Sequence, residues 1–134
     1  MKRHSRKRWR PFPPPPPPEL DQFTRSYIAS ALWSEVDDDD VPLENNFVVE
    51  DIAPEAFAEI IKDTQSFQKE NWEDIQDDLD RAGLDFWLTR NHHGAGFWDG
   101  DWPKEVGKRL TKKAQAYGEI HFYEGDDGLL YYSK

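Results

Sequence analysis

The stretch Asp85-Phe86-Trp87-Leu88-Thr89-Arg90-Asn91-His92-His93-Gly94-Ala95-Gly96-Phe97-Trp98-Asp99-Gly100-Asp101-Trp102 decides how the chain is read. It holds three of the six tryptophans, a Gly-x-Gly, an adjacent histidine pair beside Arg90 and Asn91, and three aspartates. Large aromatics interleaved with turn residues predict a β-hairpin that is partly core and partly surface. Strict alternation then places Phe86, Leu88 and Arg90 on one face and Trp87, Thr89 and Asn91 on the other. Asn91-His92-His93-Gly94 supplies the turn, with Gly94 suited to positive φ and Gly96 leaving room for something to approach the backbone.

Working outward, Pro103 opens a helix over about 103–117 carrying Val106, Leu110, Ala114 and Tyr117 inward, and Gly118 stops it. Its outer side carries Lys104, Lys108, Arg109, Lys112 and Lys113, the one basic cluster of the body. Glu119 to Tyr123 and Leu129 to Ser133, joined by Glu124-Gly125-Asp126-Asp127-Gly128, predict a second hairpin. Toward the amino end, Leu20, Phe23, Tyr27, Ile28, Ala31 and Leu32 repeat at three and four, a helix over 19–34. The acidic run Asp37 to Asp40 and Pro42 end it, and Val41 to Ile52 form a loop in which Leu43, Phe47, Val48 and Val49 either pin the chain down or make a short strand. The run lacks the alternating ligands, central glycine and closing glutamate of an EF-hand, so it reads as a solvated loop.

Pro54 suits the first position of another helix, and Glu55 suits the positive end of its dipole. Helical spacing then continues through Phe57, Ile60, Ile61, Thr64, Phe67, Trp72, Ile75, Leu79 and Ala82. One long helix or two abutting ones are expected, with any break near Lys69 to Asn71 and with Gly83-Leu84 as the carboxyl cap. Glu70, Glu73, Asp74, Asp77, Asp78 and Asp80 form an acidic strip on the other face. The predicted fold is therefore α+β: three helices on a small antiparallel sheet of two hairpins, in the order α-α-β-β-α-β-β.

A chain of 134 residues with 14% aromatics supports one globular domain, here residues 19–134, behind a biased tail of residues 1–18. The tail opens with Lys2, Arg3, Arg6, Lys7, Arg8 and Arg10 and continues as Pro11-Phe12 and Pro13 to Pro18. Consecutive prolines predict a semi-rigid polyproline rod. Without those six cations, 11 basic residues face 27 acidic ones, so the net charge of −10 becomes −16 for the rest. Such a body repels phosphates unless its cations are concentrated, and it favours basic partners. The absence of cysteine excludes disulfides, thiolate metal sites and a cysteine nucleophile. No apolar run reaches the roughly 18 residues of a membrane span, and prolines stand where a signal peptide needs an apolar core. A soluble cytoplasmic protein without membrane association is expected.

The candidate binding set is Asp85, Trp87, Arg90, Asn91, His92, His93, Trp98, Asp99 and Asp101. Neighbouring residues of an extended chain diverge, so His92 and His93 do not chelate one ion together. A metal site would have to pair His93 with Asp99, Asp101 or the distant His121, and no recognised ligand spacing is present, so no metal and no cofactor are expected. A hydrolase would have to use Thr89 with a nearby histidine and Asp85. Gly94-Ala95-Gly96 is too short for a dinucleotide fingerprint and does not open a helix after a strand.

Asp85-Phe86-Trp87-Leu88-Thr89-Arg90-Asn91 followed by His93-Gly94-Ala95-Gly96-Phe97-Trp98-Asp99 resembles the shared motif of a family of small tailed-bacteriophage and prophage proteins. The resemblance extends to Leu32-Trp33-Ser34-Glu35 and Gly125-Asp126-Asp127-Gly128, and it implies an accessory role in a phage without a particular activity. The family often carries a histidine before its Asp-Phe-Trp and a glycine between its asparagine and histidine, where this chain has Leu84 and His92. The first departure argues against a catalytic or metal role at that position.

Three functions compete. One is a non-enzymatic accessory protein that binds a host or phage macromolecule through the 85–102 segment and the acidic strip, for example as an inhibitor of a basic nucleic-acid-handling host protein. A second is a nucleic-acid-binding protein using Lys2, Arg3, Arg6, Lys7, Arg8, Trp9 and Arg10 together with Lys108, Arg109 and Lys112. The third is a small metal-dependent or hydrolytic enzyme built on Asp85, Arg90, His93, Asp99 and Asp101. Convergence of that last set on an open pocket favours the enzyme, and dispersal favours binding.

Overall fold

The computed structural model describes residues 18–134, and the expected basic arm with Trp9 lies outside the described residues, as does nearly all of the polyproline run. Four helices precede one hairpin: α1 (Gln22–Ser34), α2 (Pro54–Ile75), α3 (Leu79–Arg90), α4 (Lys104–Gln115), β1 (His121–Glu124) and β2 (Leu130–Ser133). The α+β class holds only in this coarse sense. The order is α-α-α-α-β-β, with a single two-stranded sheet among the described residues in place of two hairpins.

The difference lies in the 85–102 stretch. Asp85 to Arg90 form the last turns of α3, and residues 91–102 are irregular turns. The expected alternation of faces does not exist there, because Asp85, Phe86, Trp87, Leu88, Thr89 and Arg90 are all buried. A helix enclosed on every side has no polar stripe to reveal its 3.6-residue period, so its apolar run imitates a buried strand. Here the enclosing groups come from α1, α2 and the hairpin. Phe86 stacks on Phe67 with centroids 4.2 Å apart, Tyr27 lies edge-on to Trp87 at 5.4 Å, and Trp87 stacks on Phe122 at 5.9 Å.

Gly83, expected to cap a helix, instead lies inside α3 where α1 comes closest. A Cβ there would strike the Phe23 carbonyl oxygen and stand 3.0 Å from Ser26 Cβ and 3.1 Å from the Tyr27 nitrogen. The glycine thus sets how near the two helices approach. The preceding helix does end early. Asn71 leaves helical geometry (φ −120°, ψ 16°) while its side-chain amide donates to the Phe67 carbonyl at 3.0 Å, which kinks α2 at the end of the expected Lys69 to Asn71 window. The separation from α3 falls later, at residues 76–78, where the Asp78 carboxylate caps α3 by accepting from the Arg81 backbone N–H.

The remaining elements follow their local signals. α1 begins at Gln22, three residues inside the expected start, because the Asp21 carboxylate caps it through the Thr24 N–H at 2.8 Å. Burial alone would raise the Asp21 carboxyl, but the hydrogen bonds from the Thr24 hydroxyl and N–H and from Gln68, with the Arg25 charge, together hold it below its ordinary range. Leu43 and Phe47 pin the 41–52 segment as expected, whereas Val48 is about half exposed. The hairpin pairs Phe122 with Tyr132 and Tyr123 with Tyr131, and it is joined to the start of α2 by the Ala53 N–H donating to the Leu130 carbonyl at 2.8 Å.

Candidate functional site

Arg90 closes α3 and reaches into the centre of the molecule, fully buried. Its Nε donates to the Gly118 carbonyl at 2.8 Å and its Nη2 to the Tyr117 carbonyl at 3.0 Å. Nη1 faces the Asp63 carboxylate at 2.8 Å, the Tyr27 hydroxyl at 3.1 Å and the Tyr132 hydroxyl at 3.2 Å. The guanidinium is flanked by the rings of Phe86 and Tyr117, 5.6 and 5.5 Å from their centroids. The two tyrosine hydroxyls lie 2.6 Å apart, and that of Tyr132 also donates to Asp63 at 3.0 Å. Burial, supported by the nearby Asp63 charge and opposed by Arg90, pushes the Tyr27 phenol up to about 12, and burial raises that of Tyr132 as well. Both tyrosines therefore stay neutral hydrogen-bonding groups near neutral pH. Asp63, Tyr27 and Tyr132 are hydrogen-bonding partners of Arg90 that the sequence did not reveal, since each lies far from it along the chain.

Asn91 and Thr89 are also spent on structure. The Asn91 amide donates to the Trp87 carbonyl at 3.1 Å, and its oxygen accepts from the Ile120 N–H at 2.8 Å, tying the end of α3 to the hairpin. Thr89 is buried, with its hydroxyl accepting from the Phe97 N–H at 3.0 Å, so it does not serve as a solvent-reachable nucleophile. Trp87 is wholly buried and donates to the Ser34 hydroxyl at 2.8 Å.

Asp85 sits under the loop and accepts from the Trp102 indole at 2.7 Å. Burial pushes its carboxyl up to about 6, with the Asp99 and Asp101 charges adding to the effect, while the Trp102 hydrogen bond and Arg81 oppose it. Asp99 closes the loop by accepting from the Gly96 N–H at 3.1 Å, and Asp101 pairs with Arg81 at 3.1 Å. His92 is exposed in left-handed backbone geometry (φ 57°), whereas His93 is half-buried and its backbone N–H bonds to the Leu88 carbonyl. His121 turns toward Glu35, with Nδ1 3.1 Å from the carboxylate. Among the described residues no three histidine, aspartate or glutamate side chains are grouped to hold a metal ion. The candidate set thus disperses: Arg90 and Trp87 enter the core, Asp85 lies beneath the loop, and His92, Trp98, Asp99 and Asp101 stay outside.

What the loop does build is a groove against α4. Phe97 plugs into the aromatic core, 5.7 Å from Phe67, and the chain passes so close to α4 that a Cβ on Gly107 would lie 2.5 Å from the Phe97 carbonyl oxygen. Outside this contact Trp98, Trp102, Lys104 and Lys108 line a cavity of about 600 Å³. Trp98 is 53% exposed. On α4, Arg109 is held by Asp74 through two contacts of 2.9 and 3.3 Å, while Lys104, Lys108, Lys112 and Lys113 are exposed. At the corner between α2 and α3, Glu70, Glu73, Asp77, Asp78 and Asp80 are exposed; Glu70 and Glu73 share a surface cleft with Trp72, itself 46% exposed, whereas Asp78 and Asp80 line another with Trp33. No described helix is long and apolar enough to cross a membrane.

Comparison of the chain with protein-family models, with curated proteins and with solved structures found no match.

Proposed function

We propose that this is a small accessory protein of the phage type that acts by binding a macromolecule and not by catalysis, its partner being a basic protein that handles nucleic acid. One observation carries this reading: Asp85, Thr89, Arg90 and Asn91 are consumed in holding the fold, while the carboxylates of the α2–α3 corner stand in solvent, Glu70 and Glu73 of them beside Trp72. Exposed carboxylates spaced along a helical corner offer a basic protein the charge pattern that it otherwise meets in phosphates. An exposed tryptophan among them supplies the apolar anchor that charge alone lacks. The resemblance of residues 85–99 to a motif of small phage proteins is the ground for proposing an accessory role.

The test is capture from bacterial lysate by the wild-type chain and by the charge-reversed Glu70→Lys/Glu73→Lys/Asp77→Lys variant, followed by native mass spectrometry. A basic partner retained by the wild type and lost by the variant is expected. Absence of any protein partner, or retention by the variant, refutes the proposal.

A further inference from the structure

Helix α4 carries a second surface of opposite sign. Lys104, Lys108 and Lys112 follow one another every four residues, so they share one side of the helix and spread over about 12 Å at a rise of 1.5 Å per residue. All three are exposed, and none forms an ion pair with another described residue, in contrast to Arg109 on Asp74. Arg25, Lys62, Lys69, Lys113 and Lys134 likewise form no ion pair with a described residue, and what sets Lys104, Lys108 and Lys112 apart in a body of 11 basic and 27 acidic residues is their register along one helix. Beside the first two opens the aromatic groove, with Phe97 at its floor and Trp98 and Trp102 on its walls. Trp98 is 53% exposed although its loop is fastened by the Thr89 and Asp99 hydrogen bonds. An exposed indole on a loop already fastened by hydrogen bonds needs little ordering before it is covered.

We infer that this face binds single-stranded nucleic acid, with a base stacked on Trp98 in the groove and the backbone phosphates along Lys104, Lys108 and Lys112. Each nucleotide brings one flat ring and one anion, which matches an indole beside regularly spaced ammonium groups. An acidic peptide supplies the charge without the ring. A duplex keeps its bases inside the stack, out of reach of Trp98, and brings a dense double row of phosphates against a body that is otherwise strongly acidic.

The experiment is a fluorescence-anisotropy titration of the full chain against a short labelled oligodeoxythymidylate over a series of salt concentrations. It is repeated with Trp98→Ala and with Lys104→Gln/Lys108→Gln. All three positions are exposed, and thermal melts confirm that the variants stay folded. Trp98→Ala is expected to weaken binding about tenfold, and the double lysine variant to weaken it and lower the salt slope by about 1.4, roughly 0.7 for each lost phosphate contact. Absence of oligonucleotide binding overturns the inference. So does binding that both variants leave unchanged, which assigns it to the first ten residues. Tighter binding of a polyglutamate peptide than of the oligonucleotide also overturns it and makes the groove a protein site.

Discussion

Replacing Arg90 tests the account of the core most directly. The side chain is fully buried and makes five hydrogen bonds, to two backbone carbonyls, the Asp63 carboxylate and the hydroxyls of Tyr27 and Tyr132. In Arg90→Met the two hydroxyls keep each other, and Asp63 keeps the Tyr132 donor. The carbonyls of Tyr117 and Gly118 lose the guanidinium. At about 1–3 kcal/mol for each acceptor left unsatisfied, and with the ion pair gone, the loss is about 3–5 kcal/mol. That is a large share of the roughly 5–15 kcal/mol that holds a small domain together. Arg90→Lys keeps the charge near Asp63 but has three donors in place of a planar five-donor fork, and it should lose about half as much. Asp63→Asn leaves the buried guanidinium without its counter-charge, and the double variant Arg90→Met/Asp63→Asn should lose less than the two single losses added together. Urea titrations at neutral pH, read from the midpoint at constant slope, measure all four variants. A loss below about 1 kcal/mol in Arg90→Met would refute the reasoning, because it would mean that removing the buried guanidinium's desolvation cost offsets the whole network.

Two further substitutions probe the loop and the helix contact. Asp85 has its carboxyl raised to about 6 from an ordinary 3.8, so the folded state holds the proton more tightly than the unfolded one. Its contribution is full below about pH 4, falls as pH rises and is lost above about pH 6, with a ceiling of about 3 kcal/mol. Asp85→Asn retains an acceptor for Trp102 and removes that dependence, so the stability of wild type relative to the variant should fall between pH 4.5 and 7.5; a pH-independent difference would contradict it. Gly83→Ala gains about 1 kcal/mol of helix propensity. It must nevertheless push the α3 backbone away from the Phe23 carbonyl oxygen, and a net loss of about 2 kcal/mol is expected. A melting temperature equal to or above wild type would show that Gly83 does not set the spacing of α1 and α3.

Most of the secondary structure was legible because its signals are local. α1 and α4 have one face in the core and one in water, so their period survives in the residues themselves, and Gly118 ends the α4 region with φ 78° as its position suggested. The hairpin at 121–133 has its turn residues between two aromatic runs. Asp85 to Arg90 failed the same method for a physical reason. The segment is enclosed by neighbours on all sides, and nothing within it separates a helix from a strand once both apolar and polar side chains are buried. The candidate site was legible only as a region. Trp98, Asp99 and Asp101 remain at the surface as expected, but Arg90 looked like a contact residue because arginine is normally exposed.

By itself the sequence determined the acidic body, the basic face of α4, three of the four described helices and the hairpin at 121–133, because charge and one-sided burial leave their mark residue by residue. It also predicted a second hairpin at 85–102 that the structure replaces with helix and turns. Tertiary structure alone decided that the 85–90 segment is helical, that Gly83 is a contact and not a cap, and that Arg90 belongs to Asp63, Tyr27 and Tyr132. Those outcomes depend on partners distant in the chain, brought together only when the core closes.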